Sequence, residues 1–177
     1  MKRCFWLSLL FFCLWVPAIS FGSPHETLGL PHQVPSQWRI EEQSSPHNPG
    51  YYYLKNRSQE KFDGYIGSVP LFPDRSPQED IQSRVDRFLA GQPNSFAGIR
   101  YQLNYGEVPA EQIVYQLYDP NDGKILAWFT ITYWAYNGNL YSLHLCALND
   151  PALAETDLFL THQFGEKKIL TETILPH

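Results

Sequence analysis

Two long β-type segments joined by an Asn-Gly turn constrain this fold more than any other feature of the sequence. Lys124–Ala135 and Leu140–Leu148 have the two-residue period of strands. Between them lie Asn137 and Gly138, a pair that favours a type I′ turn because both central positions need positive φ. The sequence therefore predicts a β-hairpin with a two-residue loop.

The predicted register distributes the hairpin residues over two faces. It places Trp134 opposite Tyr141 and Phe129 opposite Cys146, and opposed residues share a face. One face carries Trp128, Thr130, Thr132, Trp134, Tyr141, Leu143, Leu145 and Ala147, and the other carries Phe129, Ile131, Tyr133, Leu140, Ser142, His144 and Cys146. Neither face is freely polar, so we expect layers on both faces, or one covered face and one binding face.

Shorter β segments are predicted at Trp38–Glu41, Tyr51–Lys55, Gly64–Phe72, Tyr101–Tyr105 and Ile113–Tyr118. A helix follows Ser76, because Pro77 suits its first position and Glu79 completes a capping box. Its apolar stripe consists of Ile81, Val85, Phe88 and Leu89, and Gly91 is expected to end it in the left-handed conformation.

A second helix is bounded by Asp150 as its cap, Pro151 in its first position and Gly165 as its stop. Its apolar residues at roughly helical spacing are Leu153, Leu160 and Phe164. The apolar residues that follow in the C-terminal tail either form a short edge strand or pack against the domain.

The N-terminus has the features of a secretory signal peptide. Lys2 and Arg3 precede the apolar run Cys4–Val16, and small residues allow cleavage after Ser20 or Gly22. The run is shorter than the ~20 residues of a membrane span, so we expect a soluble periplasmic or secreted protein with no stable membrane anchor. The predicted division is a signal peptide (1–22), an extended leader (23–36), one α+β domain (37–165) and a C-terminal tail (166–177).

Charge and cysteine content narrow the partners and the compartment. Cleavage removes two of the 13 basic side chains and none of the 18 acidic ones, which leaves a net charge of about −7. Such a chain repels phosphate backbones, so nucleic acid is not an expected partner. Cys146 is then the single cysteine, which excludes an intramolecular disulfide and favours a bacterial envelope.

The order of these elements is similar to that of the PsbP/DcrB-like group of α/β/α sandwich domains. The resemblance covers Gln37 to Gly165 and depends on element order, spacing and the strand that leads into the last helix. It implies an antiparallel sheet with helices packed against it, in a family dominated by non-catalytic envelope, photosystem-assembly and chaperone-like binding proteins. It implies no catalytic residues.

The sequence contains no recognisable enzyme motif, and we predict no catalytic residues, metal or cofactor. His144 and Cys146 are two residues apart on one strand, so their Cα atoms are about 7 Å apart, too far for a direct nucleophile–base contact. The six histidines lack the spacings that place two ligands on one metal.

Aromatic residues are the more suggestive signal for function. Such rings fill a core or form a binding platform, and the candidate binding residues are Tyr52, Trp134, Tyr136 and Tyr141. The first hypothesis is therefore a non-catalytic envelope protein, such as an assembly factor, adaptor or immunity-type inhibitor, that binds another envelope protein or a peptide. The alternative is a small hydrolase or ligand carrier with a pocket near His144.

Overall fold

A computed structural model describes residues 28–42, 51–56, 62–92, 97–119, 121–147 and 152–175. The predicted signal peptide and the proposed Asp150 cap lie outside these residues. The strands are β1 (Trp38–Glu42), β2 (Tyr51–Asn56), β3 (Phe62–Pro70), β4 (Gly98–Tyr105), β5 (Val108–Tyr118), β6 (Ile125–Tyr136), β7 (Asn139–Ala147) and β8 (Lys167–Leu175). The helices are α1 (Pro77–Ala90) and α2 (Ala152–Phe164).

The eight strands form one sheet in the order β1-β2-β3-β7-β6-β5-β4-β8, and every neighbouring pair is antiparallel. Helix α1 packs on one face of the sheet and α2 packs on the other. We call these the α1 face and the α2 face. The predicted α+β class, an antiparallel sheet with helices packed against it, is confirmed.

The β6–β7 hairpin has the predicted turn and register. Asn137 has a φ of 46° and Gly138 a φ of 74°, as a type I′ turn requires. Trp134 lies opposite Tyr141, and the other opposed pairs are those predicted. The two predicted faces of the hairpin therefore became the α2 face and the α1 face of the sheet.

Helix α1 begins as predicted and ends differently. The backbone N–H of Glu79 donates to the Ser76 hydroxyl, and the Glu79 carboxylate accepts from the Ser76 N–H, which completes the capping box. The prediction that Gly91 is left-handed was wrong, because its φ is −85°. Its N–H bonds to the Phe88 carbonyl instead, so the last turn tightens without reversing its hand.

Helix α2 ends where the sequence predicted. Gly165 has a φ of 103°, and its N–H bonds to the Thr161 carbonyl. The chain then passes close to the β4–β5 turn, where the Gly106 N–H donates to the Glu166 carbonyl at 2.9 Å. A Cβ atom on Gly106 would lie 2.3 Å from the Phe164 carbonyl oxygen, so this contact requires a glycine.

Two hydrophobic cores hold the layers together. The core on the α2 face includes Leu54, Ile66, Leu103, Tyr105, Trp134, Tyr141, Leu143, Leu145, Phe159 and Leu160. The core on the α1 face consists of Ile81, Val85, Ile113, Ile131, Tyr133, Ala135 and Leu140. Burial of these side chains is the main favourable contribution to folding.

The segments on either side of the predicted domain also contact it. Leu28 and Leu30, in the predicted leader, are buried in the α2-face core, and the His32 N–H donates to Gln163 of α2 at 3.0 Å. In the predicted tail, β8 pairs with β4 as an edge strand. Of the two possibilities that the sequence left open for the tail, the structure adopts the strand.

Candidate functional site

An apolar groove of about 290 Å³ opens where β4, β5, β6 and β8 end. Its apolar lining includes Ile99, Val114, Tyr115, Tyr118, Trp128 and Ile174. Gln116 also lines it, and the Tyr118 hydroxyl donates to the Gln116 amide oxygen. The groove therefore offers a partner mainly apolar and aromatic surface.

The strand register explains why these residues converge. Ile99 lies opposite Val114 on one side and Ile174 on the other, and Trp128 lies opposite Gln116. All five are on the α2 face, whereas Tyr115 and Leu175 pack against the α1-face core, so residues of both faces line the groove. Helix α2 covers the α2 face at Thr130, whose hydroxyl is 2.5 Å from that of Thr156, whereas Trp128, two residues earlier, lines the groove instead.

Exposed apolar side chains adjoin the groove at the β5–β6 turn. Leu117, Tyr118, Ile125 and Leu126 are each 43% to 49% exposed, and Ile174 of β8 is 77% exposed. The turn that carries the first four is closed by the Asp119 N–H, which donates to the Lys124 carbonyl at 2.8 Å. A cluster of exposed apolar residues beside a groove is typical of an interaction surface.

Two of the predicted binding residues, Trp134 and Tyr141, pack inside the α2-face core. They are 0% and 1% exposed, and their rings stack 5.2 Å apart. The Tyr141 hydroxyl donates to the Leu28 carbonyl at 2.7 Å, and burial raises the pKa of this hydroxyl. These rings contribute to packing, and the groove is built from other aromatic residues.

The other two, Tyr52 and Tyr136, are half-buried and pack against the same core. The Tyr136 ring lies 5.1 Å from that of Phe164, near the end of the sheet that holds the β6–β7 turn. Neither residue lines the groove. Their role in binding stays a prediction.

None of the predicted binding residues lines the groove, although the sequence contains one signal that points to this region. Leu117 and Tyr118 stand directly before the Asp119–Gly123 turn, and Ile125 and Leu126 stand soon after it. Consecutive apolar residues at a hairpin tip interrupt the alternation of a half-covered strand. They mark a tip with apolar residues on both of its faces.

The alternative site, His144, lies on the α1 face in a row with Tyr65 and Tyr53. Burial lowers the pKa of its imidazole to about 4, so the ring is neutral at pH 7. Its Nε2 atom is buried and has no hydrogen-bond partner within the described part of the chain. His144 lines neither the groove nor two other cavities of the protein.

Those two other cavities border α1. One holds only about 10 Å³ between Arg84 and the paired strands β3 and β7, and the other is an open depression beside Gln78, Gln82 and Gln102.

Cys146, two residues after His144, is half-buried. The Nε2 atom of the neutral His144 ring has no hydrogen-bond partner among the described residues. No group on that atom therefore orients the ring for general-base catalysis.

A polar network on the α2 face connects α2 to four strands, β4, β5, β6 and β8. Lys167 donates to both Asp157 oxygens at 2.9 and 2.8 Å, and the Tyr105 hydroxyl donates to Asp157 at 2.6 Å. The Gln112 amide donates to the Thr132 hydroxyl at 3.1 Å. Burial, followed by the Asp157 charge, raises the pKa of Tyr105, so this hydroxyl stays protonated and acts as a donor.

An ion pair on the α1 face has a similar structural role. Arg100 donates to Glu111 Oε2 through Nε at 2.9 Å and Nη2 at 2.6 Å, and Nη2 also donates to Gln82 of α1 at 2.5 Å. Burial raises the pKa of Glu111, and the Arg100 charge opposes that shift. The pair connects β4 and β5 to α1.

Neither a metal-binding cluster nor a membrane-spanning helix is present among the described residues. Within those ranges, no three His, Cys, Asp or Glu side chains are grouped closely enough to hold a metal ion. Over the same ranges, no helix has the length and apolar character needed to cross a bilayer.

An antiparallel α+β sandwich with this arrangement is similar to several solved structures. A protein from Bacteroides thetaiotaomicron VPI-5482 matches with a TM-score of 0.49 and 9% identity, over 78% of this chain and 44% of that one. Cyanobacterial PsbP (CyanoP) from Synechocystis sp. PCC 6803 matches with a TM-score of 0.49 and 11% identity, over 77% and 84%. LpqN, involved in cell envelope biogenesis of Mycobacterium tuberculosis, matches with a TM-score of 0.46 and 21% identity, over 81% and 82%.

These similarities concern the fold. A PsbP structure is among them. This chain spans less than half the length of the Bacteroides protein. No family model matches the sequence, and no curated protein is significantly similar to it.

Proposed function

We propose that this protein is a non-catalytic binding protein of the cell envelope and that it holds another envelope protein or a peptide at the apolar groove. The observation that carries the proposal is the groove itself, with its aromatic lining and the exposed apolar residues beside it. Burial of such side chains against a partner is a main source of affinity in protein interfaces.

The exposed apolar residues outside the groove favour a polypeptide partner over a small molecule enclosed in it. Sites for small ligands usually have volumes of about 300–1,000 Å³ and enclose most of the ligand. A groove of about 290 Å³ lies just below that range. It suits one or two large apolar side chains that anchor a longer chain, with Leu117, Ile125 and Leu126 extending the contact outside it.

The envelope location in this proposal depends on the sequence. The basic residues, the apolar run and the small residues near the N-terminus are those of an exported protein. Sequencing the N-terminus of the protein purified from its own cells tests this part. A mature chain that starts at Phe21 or Ser23 supports export, and an uncleaved chain contradicts it.

A matched pair of variants tests the binding surface. Ile174→Glu places a charge on the groove, and Leu158→Glu places the same charge on an exposed leucine of α2 that does not line it. Both replaced side chains are exposed, so both variants should unfold within a few degrees of the wild type. Tagged versions of all three proteins are used to capture partners from the native envelope.

The expected result is a protein that copurifies with the wild type and with Leu158→Glu and is reduced at least tenfold with Ile174→Glu. Only a partner that depends on Ile174 and not on Leu158 supports the groove as the binding surface. If the wild type and both variants retain the same partners, or both variants lose them equally, the groove is not the binding surface.

A further inference from the structure

Strand β8 is an edge of the sheet whose outer side has no pairing strand in the described part of the chain. An edge strand presents unpaired backbone N–H and C=O groups, which can template pairing with another strand. Natural proteins block such edges with lysines, bulges or inward charges. The distribution of these protections along β8 is uneven.

The first half of β8 carries two lysines and a bulge, whereas the second half carries a single charged residue, Glu172. Lys167 and Lys168 occupy its start, and the register with β4 shifts between Gln102 and Leu103, which leaves Leu170 as a bulged residue. From Thr171 to Leu175 the pairing is regular and the sequence is Thr-Glu-Thr-Ile-Leu. At the opposite edge of the sheet, the short β1 carries the charged pair Arg39 and Glu41.

The less protected half of β8 is also the half that borders the groove. Ile174 and Leu175 both line the groove, and Ile174 is 77% exposed. A strand added along this edge would therefore run beside the groove and could place a side chain in it. A polypeptide is the one common ligand whose backbone matches a row of alternating N–H and C=O groups.

On the basis of the proposed function, we propose that the partner docks as an extended segment that adds to the sheet as a ninth strand, antiparallel to β8 over residues 171–175. Antiparallel addition continues the pairing of the whole sheet. The backbone hydrogen bonds hold the segment, and the groove selects its side chains.

The residues on this edge define the partner's chemistry. Glu172 and Ile174 are two residues apart and share the α2 face, since they lie opposite Tyr101 and Ile99. Directly opposed side chains interact across neighbouring strands. The partner therefore carries an apolar residue opposite Ile174 and, two residues later in its own chain, a lysine or arginine opposite Glu172. The net charge of about −7 after signal-peptide cleavage also attracts a basic segment.

The first test uses a synthetic probe, the acetylated peptide Thr-Val-Thr-Ile-Thr-Lys-Thr, titrated into the ¹⁵N-labelled protein. NMR then follows the backbone amides of β8, β4 and the groove. We expect saturable shifts concentrated at residues 171–175 and at the groove residues. A peptide with Glu in place of Lys should bind at least about threefold more weakly.

Two N-methylated peptides separate strand addition from simple side-chain capture. Methyl groups on alternate amides block one edge of the probe and leave the other edge free. Strand addition predicts that one of these peptides loses binding at least tenfold and that the other binds like the parent. Equal binding of both peptides contradicts strand addition while leaving the groove as a binding surface.

The variants connect this test to the proposed function. Ile174→Glu should reduce probe binding and Leu158→Glu should not. If the probe does not bind but the native partner still depends on Ile174, strand addition is wrong and the proposed function stands. If neither binds through Ile174, both are wrong.

Discussion

The buried imidazole of His144 should make the stability of the protein depend on pH in a predictable direction. In the folded protein, burial lowers the pKa of the His144 imidazole from 6.5 to about 4. Between these values the unfolded chain binds a proton that the folded chain does not. The free energy of unfolding therefore falls as the pH decreases through this window and is fully restored above it.

The size of the effect follows from the shift. Each pKa unit corresponds to about 1.4 kcal/mol, so the loss between pH 7 and pH 4 is about 3 kcal/mol on this account. The buried Nε2 atom, which has no hydrogen-bond partner in the described part of the chain, is the structural reason. Protonation would place a charge beside the Tyr133 ring without an acceptor for its new N–H.

Urea denaturation at a series of pH values from 7 to 4 measures this loss. His144→Gln has no charge change in the window, and His162→Gln, on the exposed surface of α2, is the control. Comparison of the variants removes the contribution of carboxylates, which titrate in all of them. The wild type and His162→Gln should lose about 3 kcal/mol more than His144→Gln. If the three pH profiles are parallel, His144 is solvated in the folded protein and the reasoning is refuted.

Two further predictions concern packing between α2 and the sheet. Gly106→Ala should destabilise the protein by about 2 kcal/mol or more, because its φ is +56° and the new Cβ atom would meet the Phe164 carbonyl oxygen. Gly138→Ala is the comparison, because Gly138 has a φ of +74° but open space around it, and it should cost about 1 kcal/mol. Equal melting temperatures for the two would contradict the close contact. Asp157→Asn should lower the free energy of unfolding by about 1–3 kcal/mol, because it leaves Lys167 partly buried without its carboxylate. A double-mutant cycle with Lys167→Met should give a coupling energy of about 1 kcal/mol. A coupling energy near zero would show that the pair is solvated.

Locally encoded elements were predictable from the sequence. The type I′ turn depends on Asn137 and Gly138 alone, and the α1 cap depends on Ser76 and Glu79, three residues apart. Both were confirmed because adjacent residues supply every partner that they need. Gly91 was mispredicted because glycine permits both hands of backbone and its actual hydrogen bond to Phe88 is one of two ways to end a helix.

Features that depend on distant segments were not predictable in this way. Trp134 and Tyr141 are buried because α2 and Leu28 cover them, and the hairpin sequence contains no sign of that cover. The strand β8 needs β4, which is more than sixty residues earlier in the chain. The groove forms where the ends of β4, β5, β6 and β8 meet, so its position follows from the assembly of four strands and not from any motif.

The strand order also determines which parts of the sheet can assemble early. The β5, β6 and β7 strands are consecutive in the chain and adjacent in the sheet, whereas β3 pairs with β7 and β4 pairs with β8 across long intervening segments. Closing a long loop costs conformational entropy before any contact is made, and non-local pairings slow folding. We therefore expect the central meander to form first, and pulse-labelled hydrogen exchange should find the amides of β8 among the last to be protected. Until β8 is in place, β4 is the exposed edge of the sheet. During folding, β8 therefore covers the edge of β4, and in the folded protein β8 itself offers the edge at which a partner docks.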